Sequence, residues 1–333
     1  MKSTQTIGVF DSGFGGLTVL RALLPLLPDA RYIYLGDTAR LPYGSKSRET
    51  ITRYAVSSAK FLHEQGAELL VVACNTATAL ALEDIQQALP IPVIGVVEPG
   101  AHAAALQSKP LFQESSFRPK RSEVEKSASL PTRVPQVRDG LIVANVGLGS
   151  PPQLSTPNQV LVLATAATVQ SHAYTHALHA LGLEAYEKAC PLLVPLVEEG
   201  WIDHPVTDEV LKIYLIEALT AAPATQTLLL GCTHYPLLEP AIHRVLATLN
   251  HPLAIIDSAK ATAHKVMAHL IAARANIPTL AEGAPLYVGL QDSNPDADKC
   301  SFYATDSIEK FERLGSAFLG QPVTGVRHID LRE

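Results

Sequence analysis

A chain of 333 residues, 47% of them hydrophobic and 17% charged, carries enough apolar side chains for two ordinary cores, which excludes a largely disordered chain. Its formal net charge of −6 provides no broad basic field, so nucleic acid is not an expected partner. Met1-Lys2-Ser3-Thr4-Gln5-Thr6 leads straight into an apolar strand pattern without an export leader, and no apolar run reaches the roughly 18 residues of a membrane helix; a cytoplasmic protein is expected.

In chain order, apolar runs at 7–10, 32–35, 69–73 and 93–96 predict strands, and the amphipathic stretches 16–27, 47–64 and 78–88 between them predict helices. Gly66, Gly95 and the Pro90/Pro92 pair fall between these segments, where turns belong. This is the alternation of a doubly wound α/β layer on a mainly parallel sheet. From Val160 the rhythm restarts, with strands at 160–164, 227–230 and 254–256, helices at 168–181, 208–219 and 238–249, and a further segment at 190–197. Asp11 and Thr165, each following the first strand of its half, stand 154 positions apart, and Cys74 and Cys232 stand 158 apart. A nearly constant offset is what duplication with small insertions leaves. The expected architecture is therefore α/β, with two similar doubly wound lobes related by pseudo-twofold symmetry and an active site between them. Residues 1–99 plus 255–333 would form one lobe and 100–254 the other.

Between the halves, residues 107–159 break the rhythm. The part up to Gly140 holds four prolines and seven Lys/Arg against four Asp/Glu without a sustained apolar face, and it reads as a flexible surface insertion. Leu141 to Val146 reads as an extra edge strand bounded by Ser150-Pro151-Pro152.

Cys74 and Cys232 each follow directly on an apolar run, which sets both thiols where a buried parallel strand gives way to a loop. Backbone N–H donors and a helix N-terminus at such a place are expected to lower the thiol pKa. One such cysteine is ordinarily just buried. Two in matching contexts point to a functional pair: a disulfide switch, a metal site, or two-base proton transfer across a carbon. Only Cys232 and His234 stand close enough in sequence to share a metal, so no metal is expected. Asn75, Thr76, Thr233 and backbone amides offer donors to an anionic substrate. Cys190 and Cys300 read as inert, and in a reducing compartment all four cysteines are expected to be free thiols.

Three further stretches carry candidates. Asp11-Ser12-Gly13-Phe14-Gly15-Gly16-Leu17 is glycine-rich and opens a helix, yet it fits neither GxGxxG nor GxxxxGK[ST], so nucleotides are poorly supported. Asp11 is either a plain helix cap or a group that orients an ammonium or assists the Cys74 thiol. Asp37 to Gly44 is either an ordinary turn with solvated Asp37 and Arg40, or a loop in which the Tyr43 hydroxyl and the Gly44 amide bind a carboxylate. His234 is either a structural histidine or the group that draws protons from Cys232.

Gly8-Val9-Phe10-Asp11-Ser12-Gly13-Phe14-Gly15-Gly16-Leu17, Gly36-Asp37-Thr38-Ala39-Arg40-Leu41-Pro42-Tyr43-Gly44, Cys74-Asn75-Thr76-Ala77-Thr78, Pro195-Leu196-Val197-Glu198-Glu199-Gly200 and Gly231-Cys232-Thr233-His234-Tyr235-Pro236-Leu237 occur in this order along the chain. Together they closely resemble the bacterial glutamate racemases of the aspartate/glutamate racemase superfamily. The resemblance implies a cofactor-independent isomerase that interconverts L- and D-glutamate for peptidoglycan synthesis. It implies that Cys74 and Cys232 are the acid/base thiols, with Asp11 assisting the first and His234 the second, and that Glu198 or Glu199 supports the second site. Asp11-Ser12, Tyr43-Gly44, Asn75-Thr76, Thr165, Thr168 and Thr233-His234 would hold substrate, and homodimers are common in the family. In Leu163-Ala164-Thr165-Ala166-Ala167-Thr168 the threonines fit, but the glycine usual before them is missing, and the 107–159 insertion is longer than the family pattern. Aspartate racemase is the nearest alternative activity, and a non-catalytic ligand-binding or regulatory protein is the alternative of another class.

Overall fold

The computed structural model describes residues 5–108, 159–275 and 299–331. In chain order the first stretch holds β1 (Thr6–Asp11), α1 (Leu17–Leu26), β2 (Arg31–Gly36), α2 (Arg48–Glu64), β3 (Leu69–Val72), α3 (Asn75–Ala88), β4 (Val93–Gly95) and α4 (Val97–Ser108). The second holds β5 (Gln159–Ala164), α5 (Ala166–Ser171), α6 (Ala173–Ala180), β6 (Glu184–Ala189), α7 (Leu193–Glu198), α8 (Pro205–Ala221), β7 (Thr225–Gly231), α9 (Glu239–Thr248), β8 (Ala254–Asp257) and α10 (Ser258–Ala275). The third adds β9 (Cys300–Ala304), α11 (Ile308–Leu319) and β10 (Arg327–His328).

The strands pair in parallel in two sheets, ordered β10-β9-β2-β1-β3-β4 and β6-β5-β7-β8. The order β2-β1-β3-β4 in the first sheet repeats as β6-β5-β7-β8 in the second, so the restarted rhythm of the sequence becomes a restarted topology. β1 and β5 occupy equivalent places, as do β3 and β7. Helices cover both faces of a parallel sheet, which is why the central strands are apolar throughout instead of alternating. Val160, Leu161, Val162, Leu163 and Ala164 are all fully buried. Each such leucine or valine contributes about 1.5–3 kcal/mol of transfer free energy. The first sheet is completed by strands that arrive late in the chain, because β9 pairs with β2 from Tyr32↔Cys300 to Gly36↔Ala304.

Several elements differ from expectation. The single helix predicted over 168–181 is two helices, broken at His172, which adopts a left-handed φ of 55°. No Gly or Pro announces this break; histidine tolerates that conformation better than most side chains, and Ser171 Oγ accepts from the Ala173 amide at 3.2 Å in place of the helical ladder. β6 was missed because Glu-Ala-Tyr-Glu-Lys-Ala is a half-buried edge strand rich in charge. Cys300 heads a strand instead of lying in a polar tail. α3 begins three residues earlier than predicted, at Asn75. The segment from 109 to 158, including the edge strand expected from Leu141 to Val146, lies outside the described residues. Among the described residues no helix is long and apolar enough to cross a membrane.

Candidate active site

The parallel register sets the site. β1 and β3 pair up to Phe10↔Val72, and the Ala73 amide donates to the Phe10 carbonyl at 2.8 Å, so Asp11 and Cys74 emerge side by side at the carboxyl edge of the first sheet. In the second sheet Ala164↔Gly231 ends the β5–β7 ladder, which brings out Thr165 and Cys232 in the equivalent places.

Cys74 is the N-cap of α3. Its Sγ accepts from the Ala77 amide at 3.4 Å and donates to Ser12 Oγ at 3.4 Å. Asp11 is fully buried, with Oδ2 accepting from the Gly13 amide at 2.8 Å and Oδ1 left without a protein partner. The early start of α3 puts Asn75 and Thr76 in its first turn, facing the elements that follow β5. Asn75 Nδ2 donates to the Tyr174 hydroxyl at 2.7 Å, and Thr76 Oγ1 lies 3.0 Å from Thr165 Oγ1 and 3.3 Å from Thr168 Oγ1. Thr165 also caps α5 by accepting from the Thr168 amide, so the absence of the preceding glycine leaves the capping geometry intact.

Around the second thiol, Cys232 Sγ lies 3.9 Å from His234 Nδ1, and His234 Nε2 lies 3.2 Å from Glu198 Oε1 at the end of α7. Glu199 is exposed, which separates the two glutamates the sequence left open. Thr18 Oγ1 on α1 donates to the Thr233 carbonyl at 3.1 Å, tying the second thiol loop to the helix that follows Asp11. Gly15 touches the same loop so closely that no side chain fits there.

The electrostatics overturn one expectation. Burial pushes the Cys74 thiol up to about 11, with the Asp11 carboxylate adding to the rise against the Ser12 and Ala77 hydrogen bonds. Cys232 is raised further, again by burial, with the His234 amide opposing and the charges of Cys74 and Asp11 adding. Helix-terminal donors therefore lose to desolvation in this enclosed site. The influence of Cys74 and Asp11 on Cys232 also sets the two thiol centres in one electrostatic neighbourhood. Burial raises the Asp11 carboxyl, opposed by the His234 charge. Burial acts the same way on Glu198, yet its hydrogen bond to His234 and the His234 charge outweigh it and hold the carboxylate below the usual range.

The 37–44 loop is not a solvated turn. Asp37 is fully buried, accepting from the Tyr43 hydroxyl at 2.6 Å and from Thr305 Oγ1 at 2.9 Å, with Arg40 Nη1 3.5 Å away. The Tyr43 proton is thus directed at Asp37, not at a carboxylate as the sequence suggested, and Gly44 packs against Thr165. Asp37 was read in the sequence only as a solvated loop residue, and Tyr174 was not singled out there at all. Asp37 carried a signal in its place directly after β2, whereas Tyr174 looks like any core tyrosine. All four cysteines are free, and Cys190 and Cys300 carry thiols that burial pushes up to about 12 and about 11.

Comparison with known proteins gives a consistent picture. A family model described as Asp/Glu/Hydantoin racemase matches residues 16–112. The chain is 47% identical over 341 aligned positions to a glutamate racemase of Koribacter versatilis, covering 99% of each. Among solved structures, glutamate racemase from Francisella tularensis in complex with D-glutamate matches with a TM-score of 0.70 at 30% identity, covering 98% of each chain. Glutamate racemase from Thermus thermophilus in complex with beta-chloro-D-alanine matches with 0.68 at 36%, again over 98% of each.

Proposed function

This chain belongs to the glutamate racemases, and from that premise we propose that Cys74 and Cys232 interconvert L- and D-glutamate by two-base proton transfer, supplying D-glutamate for peptidoglycan. The observation that carries the assignment is the pair of buried thiols on equivalent strand ends, β3 and β7, each with its own acid–base neighbour. One sulfur, as thiolate, takes the α-proton from one face of the carbon, and the other, as thiol, delivers a proton to the opposite face. Each turnover leaves the two in exchanged protonation states.

The raised thiols define what else is needed. A pKa of about 11 makes the Cys74 thiolate cost about 5 kcal/mol at neutral pH. Asp11 meets part of that cost by accepting the proton at its unpartnered Oδ1, its own affinity for protons being raised by burial. His234 plays that part for Cys232, kept in place by the Glu198 carboxylate. Asn75 Oδ1, a buried acceptor with no protein partner, takes a hydrogen bond from the substrate ammonium. Ser12, Thr76, Thr165, Thr168 and Thr233, with the amides of Tyr43-Gly44, donate to its carboxylates. The weakly acidic α-hydrogen leaves only if these donors stabilise the charge that develops on the α-carboxylate while water is excluded.

In this reading the two sheets are the cores of two lobes related by pseudo-twofold symmetry, supported by the shared strand order; the first boundary stays near residue 99, and the second, expected between 254 and 255, moves to after β8 because β8 pairs with β7. A cytoplasmic homodimer belongs to the same reading. Val206, Ile213 and Ile216 lie exposed along one side of α8 and offer an apolar face, and sedimentation velocity over a concentration series checks the association state.

The decisive experiment incubates the purified protein with L-glutamate in heavy water without added pyridoxal phosphate, with L-aspartate in parallel. Optical rotation should decay to zero with deuterium entering the α-carbon of glutamate, and Cys74→Ser or Cys232→Ser should abolish the decay. Wild-type turnover in either single variant sinks the two-thiol mechanism.

A further inference from the structure

Asn75 is useful to an ammonium group only if its amide oxygen, not its amide nitrogen, faces the substrate. The surroundings decide between them. The side chain is nearly fully buried, and its Nδ2 lies 2.7 Å from the hydroxyl of Tyr174, itself fully buried in α6. A phenol has one proton to give. Beside this one stands Ser258, the first residue of α10; a methyl group at Gly100 would lie 3.4 Å from Ser258 Cβ and 3.5 Å from Tyr174 Cε1, so all three pack around one point. The Ser258 hydroxyl donates to the Leu230 carbonyl at 2.9 Å, and a carbonyl can only accept. With its proton committed there, Ser258 Oγ has only lone pairs to offer a neighbouring phenol. A phenol proton turned toward Ser258 leaves the phenol oxygen to accept from Asn75, the direction in which the Asn75 Nδ2 contact runs.

We infer that Tyr174, backed by Ser258 and the Leu230 carbonyl, is a positioning residue for racemisation: it fixes the Asn75 amide with its oxygen toward the substrate ammonium. The direction of the whole relay is set by one backbone carbonyl in β7, two residues ahead of Cys232. The break at His172 makes this reachable. α5 presents Thr165 and Thr168 to Thr76, and α6, starting afresh, turns Tyr174 onto the neighbouring Asn75. The orphaned Asn75 Oδ1 is the acceptor that the relay leaves over.

The inference rests on Asn75 contacting substrate, and a double-mutant cycle separates the two ideas. Binding of racemic glutamate, which turnover cannot change, is measured by titration calorimetry for wild type, Asn75→Ala, Tyr174→Phe and the double variant. Tyr174→Phe should weaken binding about tenfold, the effect of freeing one buried charge-facing hydrogen bond. It should cost nothing further in the Asn75→Ala background, a result that general loosening of the core would not produce. Ser258→Ala, which leaves the phenol in place, should show the same dependence on Asn75 at smaller amplitude, and it serves if Tyr174→Phe fails to fold. Wild-type affinity in Tyr174→Phe, or an equal loss in both backgrounds, overturns the positioning role while leaving the Asn75 contact standing. Wild-type affinity in Asn75→Ala removes the contact itself, and the inference with it.

Discussion

Replacing Gly15 with alanine adds one methyl group where the protein has no room for it. The new Cβ would sit 2.2 Å from Thr233 Oγ1, 2.6 Å from His234 Nδ1 and 2.8 Å from His234 Cε1, whereas ordinary van der Waals contact begins at 3.4 Å. The Thr233 hydroxyl can rotate away, but the imidazole cannot. Its Nε2 is held by Glu198 at 3.2 Å, and its ring packs edge-on against Phe318 with centroids 5.0 Å apart. Relief therefore moves His234 by about 1 Å relative to Cys232, and misplacement on that scale costs about a hundredfold in rate. Overpacking should also lower stability by about 1–3 kcal/mol, leaving a cooperative fold. The assay is circular dichroism of each glutamate enantiomer, with thermal unfolding in parallel. Because the enantiomers have equal free energy, kcat/KM must fall by the same factor in both directions, which checks the measurement internally. A folded Gly15→Ala variant whose kcat/KM stays within about threefold of wild type would refute the placement of His234 in the chemistry. Gly44→Ala is the graded comparison: its Cβ would meet Thr165 Cβ at 3.2 Å, a strain of a few tenths of an ångström, and a loss of no more than about tenfold is expected.

Cys74 alkylation by iodoacetamide, followed peptide by peptide in a mass spectrometer, should accelerate about tenfold per pH unit from neutrality and level off only near pH 11, since the raised pKa leaves the thiol protonated below it; a plateau near pH 8.5 would show an unperturbed thiol. Glu198→Gln keeps the shape but removes the charge facing His234 and should lower kcat about tenfold or more with little change in melting temperature, whereas wild-type kcat would leave Glu198 without a part. Asp37→Asn weakens the hold on Tyr43, Thr305 and Arg40 and should raise KM for glutamate about three- to tenfold with a smaller effect on kcat; an unchanged KM would disconnect that network from substrate binding.

Most of the site was legible because its residues sit at the ends of strands that are apolar from end to end. Asp11, Cys74, Thr165 and Cys232 each follow such a run, and the parallel register alone brings the first two to the carboxyl edge of one sheet and the last two to that of the other. Local capping was not read from the sequence: Thr165 caps α5, while the cap considered at Asp11 falls at Gly16 with no side-chain bond. What stayed hidden depends on distant partners. The buried state of Asp37 needs Thr305, far along the chain, and the importance of Tyr174 needs Asn75 and Ser258. The sign of the thiol shift was misjudged for the same reason: donors near a cysteine are visible in sequence, while the exclusion of water that outweighs them is a property of the assembled fold. The broken helix at His172 escaped because neither residue type nor apolar spacing changes there.

The late arrival of β9 bears on how the polypeptide is made. During synthesis, the edge of β2 from Tyr32 to Gly36 has no neighbour on that side until residues 300–304 leave the ribosome, a delay on the order of 10 to 50 s at ordinary elongation rates. Throughout that interval the nascent chain carries an open strand edge, and Tyr34 lacks Phe302 and Phe311, the rings that later pack against it. An open edge of this kind is a template for pairing between chains, so stalling ahead of codon 300 is expected to cost more yield than stalling after it.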